Sequence, residues 1–168
     1  DLKIMYGLAG QRLLAETELP WLPGYKGAAP VRVGNAASRQ FQLDVYGEVM
    51  DTLHLARRSG LEPDATAWSI QVELLRYLEK HWQDPDEGIW EIRGPRRHFT
   101  HSKIMAWVAF DRAIKDAGAD GREGPVEHWR TVRAAIHADV CQRGFDRQRN
   151  AFVQHYGAAE LDASLLLI

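Results

Sequence analysis

The sequence of 168 residues contains one cysteine, Cys141, and no apolar run long enough to cross a membrane. A single cysteine excludes an internal disulfide, so a reducing compartment is favoured and we expect a cytoplasmic protein. A membrane-spanning helix requires about 20 consecutive apolar residues. The sequence therefore predicts no membrane partner.

An excess of charge of either sign is also absent. The 21 Lys and Arg residues nearly balance the 23 Asp and Glu residues, which leaves a net charge of −2. Nucleic-acid-binding proteins carry a basic patch or tail, and the sequence shows neither, so nucleic acid is not an expected partner. With 45% hydrophobic and 26% charged residues, the composition is typical of a globular domain.

Apolar residues recur at helical spacing in four segments, which predict helices at 42–59, 64–82, 100–117 and 126–143. Asp64 is placed to cap the second helix, and Gly60, Gly118 and Gly144 are placed to end the other three. The segment before Asn35 is instead rich in Gly and Pro, and its apolar runs at 3–8 and 30–33 predict short strands or a hairpin. We expect one domain, with an entry segment at 1–40 and helical hairpins at 41–168.

Long, turn-rich loops follow the second and fourth predicted helices, at 85–94 and 144–154, and each contains a short strand-like run. Asp44, Lys103 and Asp162 recur 59 residues apart, near the starts of the first helix, the third helix and a further one. Such a repeat of helix pairs predicts stacked hairpins, in either an open solenoid or a closed toroid. Because the long loops fall at one end, where binding sites usually lie, a toroid with a cleft at that end is favoured.

Both ends of the sequence are typical of a fragment. Residues 1–5 resemble the middle of an element, with no initiating Met, and residues 161–168 begin a helix that stops while it is still apolar. We therefore expect further sequence on both sides.

The loop at 86–93 has the highest density of chemically active residues: Asp86, Glu87, Trp90, Glu91 and Arg93. Hydrolysis of a glycoside needs a carboxylic acid that stays protonated near neutral pH, which an apolar neighbourhood favours. Glu91 fits this role beside Trp90, whose ring offers a flat face to a sugar. On a strand, Arg93 points to the same side as Glu91. The alternative interpretation is a surface turn with ordinary solvated acids.

Other polar residues also permit two interpretations. His98 and His101 have the spacing of metal ligands on a helix, but no Cys or third His lies near them, so we predict no metal. Lys103 near a helix start opposes the helix dipole, which favours either a functional role or a solvated side chain. Gln42 and Asp44 open the first helix, where Asp44 is by default a capping acid.

Four blocks together resemble a known family: Gly-Ile-Trp-Glu at 88–91, Phe-Thr-His-Ser-Lys at 99–103, Gly-Asn-Ala-Ala at 34–37 and Gln-Leu-Asp-Val-Tyr-Gly at 42–47. Over essentially its whole length, the chain resembles the glucoamylase and bacterial trehalase family, glycoside hydrolase family 15, and its bacterial branch most. The resemblance implies an all-α fold, part of an (α/α)6 toroid. It also implies hydrolysis of α-glucosidic bonds with inversion by two glutamates.

Within this resemblance, Glu91 matches the general acid, and Asp44 matches a carboxylate that binds hydroxyl groups of the sugar at the cleavage point. The expected substrate-binding residues are Gln42, Asp44, Trp90, Arg93 and Lys103. The implied substrate is an α-glucoside or oligosaccharide, with trehalose, maltose and longer α-glucans all open. We expect neither a cofactor nor a metal.

The sequence departs from the family pattern in two respects. Fungal glucoamylases have a second Glu directly after the acid, where this sequence has Ile92, and the choice of substrate therefore stays open. The catalytic base lies well downstream in the family, and nothing in this chain matches it. The chain is expected to hold half of the catalytic pair and about five of twelve helices, and to be inactive by itself. The alternative is a non-catalytic helical module that binds carbohydrate or protein.

Overall fold

The computed structural model describes residues 1–61 and 65–167, which fall into two compact units. One unit is Lys3–Phe41, and the larger one is Gln42–Ile168 together with Asp1–Leu2. In the described part of the chain, four α-helices dominate the larger unit and the strands are short, so the predicted all-α class is confirmed. The predicted helix cap Asp64 lies outside the described residues.

The helices are α1 (Asp44–Arg58), α2 (Ala65–His81), α3 (Thr100–Asp120) and α4 (Val126–Arg143). The bounds of α4 agree with the prediction, and those of α1 and α2 differ from it by one or two residues at each end. The prediction that Gly118 ends α3 is wrong, because Gly121 ends it with a φ of 60°. A glycine ends a helix where the backbone turns left-handed, and Gly121 is the residue that makes this turn.

The main partner of α1 is α3 rather than α2, its neighbour in sequence. Both helices contribute fully buried side chains to the core: Tyr46 and Met50 from α1, and Ala106, Ala109 and Phe110 from α3. The two backbones approach so closely that a Cβ atom on Gly47 would lie 2.3 Å from the carbonyl oxygen of Met105. A side chain at Gly47 would therefore push the two helices apart.

The second helices of the two hairpins, α2 of the α1–α2 pair and α4 of the α3–α4 pair, also contact each other. The buried Trp129 of α4 meets Trp68 of α2 edge to face, with ring centroids 6.2 Å apart. The indole N–H of Trp68 also donates to the carbonyl oxygen of Glu123 (2.9 Å), between α3 and α4. The α1–α2 and α3–α4 pairs therefore form stacked hairpins, as the repeat predicts.

The unit Lys3–Phe41 contains one strand pair, β1 (Thr17–Glu18) antiparallel to β2 (Arg32–Val33). The predicted run at 30–33 thus contributes to a strand, whereas the prediction for 3–8 is wrong. That run ends in a turn, where the Gly7 N–H donates to the Gln11 carbonyl (2.9 Å) and Gly10 has a left-handed φ of 81°. The turn reverses the chain before a strand is established.

The loop after α4, for which the sequence predicts a short strand-like run, contains a pair of strands, β3 (Phe145–Asp146) antiparallel to β4 (Ala151–Phe152). The segment that follows forms a 3-10 helix at Ala163–Leu167 instead of the expected α-helix, because the Leu165 N–H donates to the carbonyl three residues back, on Asp162. Within 1–61 and 65–167, none of the helices combines the length and the apolar character of a membrane span.

Candidate active site

The loops after α2 and after α4 meet beside the start of α3. Phe99 pairs with His155 in a short antiparallel bridge, and the Thr100 N–H donates to the Gln154 carbonyl (3.0 Å). A cleft of about 680 Å³ opens at this meeting point. Residues from both loops line it, among them Ile92, Arg97 and Glu160. The two long loops therefore lie at the same end of the hairpins, as predicted.

Glu91 lies on a tight turn next to Ile92. The turn is closed by a hydrogen bond from the Glu91 N–H to the Gly88 carbonyl (3.1 Å). Gly88 has a φ of 69°, and a Cβ atom there would lie 2.7 Å from the ring of Phe99. Because Gly88 reverses the chain under this ring, the strand predicted here, with Glu91 and Arg93 on one face, is wrong.

Glu91 is an exposed residue in the part of the chain that the structure describes. The prediction that its sequence neighbours enclose it in apolar surroundings is therefore also wrong. Its backbone has a φ of 51°, a left-handed conformation that costs a non-glycine residue of order 1 kcal/mol. Such conformations persist where the surrounding structure enforces them, and they concentrate at functional sites.

Asp44 is the first residue of α1, and only 5% of its surface is exposed. Leu43 occupies the N-cap position, so the capping interpretation of Asp44 is wrong. Burial raises the pKa of Asp44 to about 7, and the nearby charge of Asp86 adds to the rise. No described residue donates a hydrogen bond to its Oδ1 atom. A buried carboxyl group with an unused acceptor atom suits a polar ligand.

Asp86 connects the loop after α2 to the start of α1. Its buried carboxylate accepts the Leu43 N–H (3.0 Å), and its main chain forms a bridge with Arg97. Burial raises the pKa of Asp86, although the Leu43 N–H, the Ser102 hydroxyl and the Lys103 ammonium oppose the rise. In the sequence, Asp86 is only one acid of a dense loop, because nothing in the spacing indicates its contact with the distant Leu43.

Lys103 is buried, with 1% of its surface exposed. Its ammonium donates to the carbonyl oxygens of Trp82 (2.6 Å) and Asp84 (2.5 Å), just beyond the end of α2. A cation there complements the negative end of the α2 dipole. Burial lowers the pKa of Lys103 to about 8, and the charge of Asp86 opposes this. The solvated alternative for Lys103 is therefore wrong, and its role in binding sugar stays a prediction.

The other predicted substrate-binding residues lie in two places. Gln42 is buried just before α1, whereas Trp90 and Arg93 are exposed on the turn-rich loop. The indole N–H of Trp90 donates to Asp162, with 2.9 Å to each carboxylate oxygen. The spacing of 59 residues marks Asp162 as a repeat position, but it gives no indication of this contact with the loop of Glu91.

His98 and His101, which have the spacing of metal ligands but for which no metal is predicted, have different surroundings. His98 stacks on Tyr156 with ring centroids 5.8 Å apart. His101 is 2% exposed, and neither of its ring nitrogens has a hydrogen-bond partner among the residues described. Burial lowers the pKa of both, so both rings are neutral at neutral pH. At positions 1–61 and 65–167, no three His, Cys, Asp or Glu side chains are arranged to hold a metal ion.

Stacked helical hairpins, with two long loops that meet beside a cleft at one end, define the class of domain. The family model of Glycosyl hydrolases family 15 matches residues 1–168. The chain therefore belongs to glycoside hydrolase family 15.

The chain is similar to proteins named trehalase from three organisms. It is 43% identical to that of Mycobacterium tuberculosis over 99% of this chain and 24% of the relative. It is 44% identical to that of Mycolicibacterium smegmatis (99% and 25%) and 37% identical to that of Thermoplasma acidophilum (98% and 28%). The chain thus spans about a quarter of the length of the curated relatives it matches.

A solved structure of a glycosidase variant in complex with glucose has a similar fold. The TM-score is 0.64, with 22% identity over 86% of this chain and 39% of that chain. This likeness shows the fold, and it agrees with the predicted segment of an (α/α)6 toroid.

Proposed function

We propose that the protein containing this chain is an inverting α-glucosidase that hydrolyses trehalose. The family match over the whole chain supports the reaction, and the relatives named trehalase support the substrate. The structural observation that carries the proposal is the buried Asp44, whose Oδ1 atom has no hydrogen-bond partner in the described chain. Sugar hydroxyl groups are donors that suit this acceptor.

Glu91 is the general acid in the proposed reaction. Its carboxyl proton passes to the glycosidic oxygen while the bond from that oxygen to the anomeric carbon breaks. A water molecule attacks this carbon from the opposite face and gives its proton to a carboxylate base. The base belongs to a part of the protein outside this chain, and inversion requires it to lie about 6.5–9.5 Å from Glu91. Trehalose then yields one β-glucose and one α-glucose.

The remaining predicted residues bind the substrate in this proposal. Asp44 and Gln42 contact hydroxyl groups of the sugar whose bond is cleaved, and Trp90 offers its exposed ring to a sugar face. Arg93 and Lys103 are the further residues assigned to the sugar in this proposal. Sugar hydroxyl groups that donate to Asp44 favour its ionised form, which is the stronger acceptor.

The left-handed backbone of Glu91 supports its catalytic role, since a strained conformation in a solvent-exposed turn has no evident benefit for stability. A general acid needs surroundings that favour its protonated form near neutral pH. In our proposal, the surface that covers Glu91 comes from another part of the protein.

The anomers formed from trehalose test the reaction. Proton NMR of the first turnovers by the full-length protein should show equal α- and β-glucose, whereas a retaining enzyme releases only the α-anomer.

A second assay compares the substrates: trehalose, maltose and a longer α-glucan are measured side by side. Trehalose should have the highest kcat/KM, and a preference for maltose or the glucan contradicts the choice of substrate.

Substitution of Glu91 tests the acid. Glu91→Gln keeps the shape of the side chain but cannot give up a proton, so kcat on trehalose should fall by about three orders of magnitude. Glu87→Gln is the matched control, because Glu87 lies on the same loop but pairs with Arg96 (3.0 Å). Unchanged turnover in Glu91→Gln, or an equal loss in both variants, removes the assignment.

The alternative hypothesis is a non-catalytic helical module. It would be supported if the full-length protein binds these sugars without hydrolysing them. The family match does not favour it. A cytoplasmic location also stays a proposal, supported by the exposed free thiol of Cys141. Fractionation of cells that express the full-length protein tests the location directly.

A further inference from the structure

The carboxylate of Asp162 accepts hydrogen bonds from three separate groups. The Trp90 indole N–H lies 2.9 Å from both oxygens, the Gln154 side-chain amide donates to Oδ2 (2.6 Å), and the Ser164 main-chain N–H donates to Oδ1 (2.7 Å). Burial alone would raise the pKa of Asp162, but the hydrogen bonds from Ser164, Trp90 and Gln154 outweigh it and lower the pKa to about 2. The group is therefore ionised at neutral pH and is a strong acceptor.

Trp90 depends on this contact for its orientation. With 56% of its surface exposed, its ring receives little restraint from packing. Glu91, the next residue, has a left-handed backbone that surrounding contacts must maintain. Gln154 lines the cleft beside this turn, so the Asp162 carboxylate also connects Trp90 to the cleft wall.

We propose that Asp162 is a positioning residue: by holding the indole of Trp90, it fixes the turn that presents Glu91 to the substrate. The inference rests on the proposed function, in which Glu91 is the general acid. An acid acts only within hydrogen-bond distance of the leaving oxygen, and a displacement of about 1 Å costs about a hundredfold in rate. Asp162 itself touches no reacting atom in this scheme.

Asp162→Asn, Trp90→Phe and the double variant test the contact in the full-length protein. Asn offers one acceptor oxygen instead of two, and Phe keeps a ring but loses the N–H donor. Each single substitution should lower kcat on trehalose about 10- to 100-fold and change KM less than about threefold. The double variant should be no slower than the slower single variant, because both substitutions break the same contact.

Asp146→Asn is the matched control. The Asp146 carboxylate also accepts main-chain N–H groups within its own loop, from Gln148 (2.8 Å) and Arg149 (3.1 Å). Its substitution should leave kcat within about twofold of the wild type, since turn-capping hydrogen bonds at this site do not reach Trp90. An equal loss of kcat in Asp146→Asn and Asp162→Asn contradicts the proposal.

Fluorine NMR of protein labelled with 5-fluorotryptophan gives a readout that does not depend on activity. The Trp90 resonance is identified by its absence in Trp90→Phe. It should shift in Asp162→Asn and stay in place in Asp146→Asn. An unchanged Trp90 resonance, or an unchanged kcat, in Asp162→Asn overturns the positioning role. If the wild type hydrolyses none of the three sugars, the proposed function fails instead, while the resonance still reports whether Asp162 holds Trp90.

Discussion

Asp44 of α1 and Asp111 of α3 are both buried aspartates, yet their surroundings differ. Asp111, on α3, exposes 3% of its surface, and its carboxylate is surrounded by cations. The distances to Arg112, Lys115 and Arg133 are 2.6, 2.7 and 2.8 Å. Asp44 exposes 5%, and the charged neighbours that act most strongly on its pKa are two further acids, Asp86 and Glu48.

The pKa of each aspartate follows from these neighbours. Burial raises the pKa of Asp111, but hydrogen bonds and charge from Lys115 and Arg112 outweigh it, so the net pKa is lowered. Burial raises the pKa of Asp44 to about 7, and the negative charges of Asp86 and Glu48 add to the rise. A buried charge that serves stability is paired, as Asp111 is, and one that is left unpaired costs stability. The difference supports the proposed role of Asp44 in binding the substrate.

The largest expected effect is on activity. Asp44→Asn keeps the volume of the side chain but removes the charge that accepts sugar hydroxyl groups. We expect kcat/KM on trehalose to fall about 1000-fold, which corresponds to about 4 kcal/mol, with the thermal transition retained. Steady-state kinetics and calorimetry on the full-length protein measure both quantities. A kcat/KM close to that of the wild type would show that the buried carboxyl group of Asp44 has no role in catalysis.

The reverse outcome is expected for Asp111→Asn. Removing the negative charge leaves Arg112, Lys115 and Arg133 without their shared partner, so the free energy of unfolding should fall by about 3 kcal/mol. The kcat of the folded enzyme should not change. Urea unfolding, together with kcat per folded molecule, separates the two effects. A large loss of kcat at full stability contradicts a structural role for Asp111.

Substitution of Gly47 tests the packing of α1 against α3, the two helices that carry Asp44 and Asp111. In Gly47→Ala the new methyl group meets the Met105 carbonyl, so we expect a loss of about 2 kcal/mol in the free energy of unfolding. Gly118→Ala is the control, because a Cβ atom there has no neighbour within 4 Å and alanine is the better helix former. It should be neutral or slightly stabilising. Similar urea midpoints for the two variants contradict the close approach of α1 and α3.

Local patterns were sufficient to predict the helices. The bounds of α4 follow from apolar spacing between Val126 and Arg143 because helix formation depends on residues three and four apart. The conformation of Glu91 does not follow from such a pattern, since Glu91 belongs to a turn in which Gly88 packs closely against the distant Phe99 ring. The failure at Gly118 has the same origin, because only the folded chain determines which glycine becomes left-handed.

The candidate site divides in a similar way. Resemblance to a family selected Asp44 and Glu91, but it gave no reason for the burial of one or the exposure of the other. Asp86 and Asp162 act through contacts with Leu43 and Trp90, which are 43 and 72 residues away in sequence. No short motif contains both partners of such a contact. The equal spacing of Asp162 and Asp44 from Lys103 was the feature of the sequence that drew attention to Asp162.

The pH dependence of stability is the smallest expected effect for a single pH step, and it distinguishes the two aspartates by sign. The folded pKa of Asp44 is raised above its ordinary value of 3.8 to about 7, so between these values the folded state binds the extra proton. The free energy of unfolding should therefore fall as pH rises from 4 to 7, by no more than about 1.4 kcal/mol per pH unit for this one proton. Asp86, whose pKa is also raised, acts in the same direction, so Asp44→Asn should reduce the slope rather than abolish it.

Asp111 has a lowered pKa, and its contribution is lost only as pH falls below 3.8. Urea titrations at closely spaced pH values should show that Asp44→Asn flattens the limb towards neutral pH, whereas Asp111→Asn flattens the acid limb. If Asp111→Asn instead removes the slope near neutral pH, the contrast between an unpaired and a paired buried aspartate is wrong.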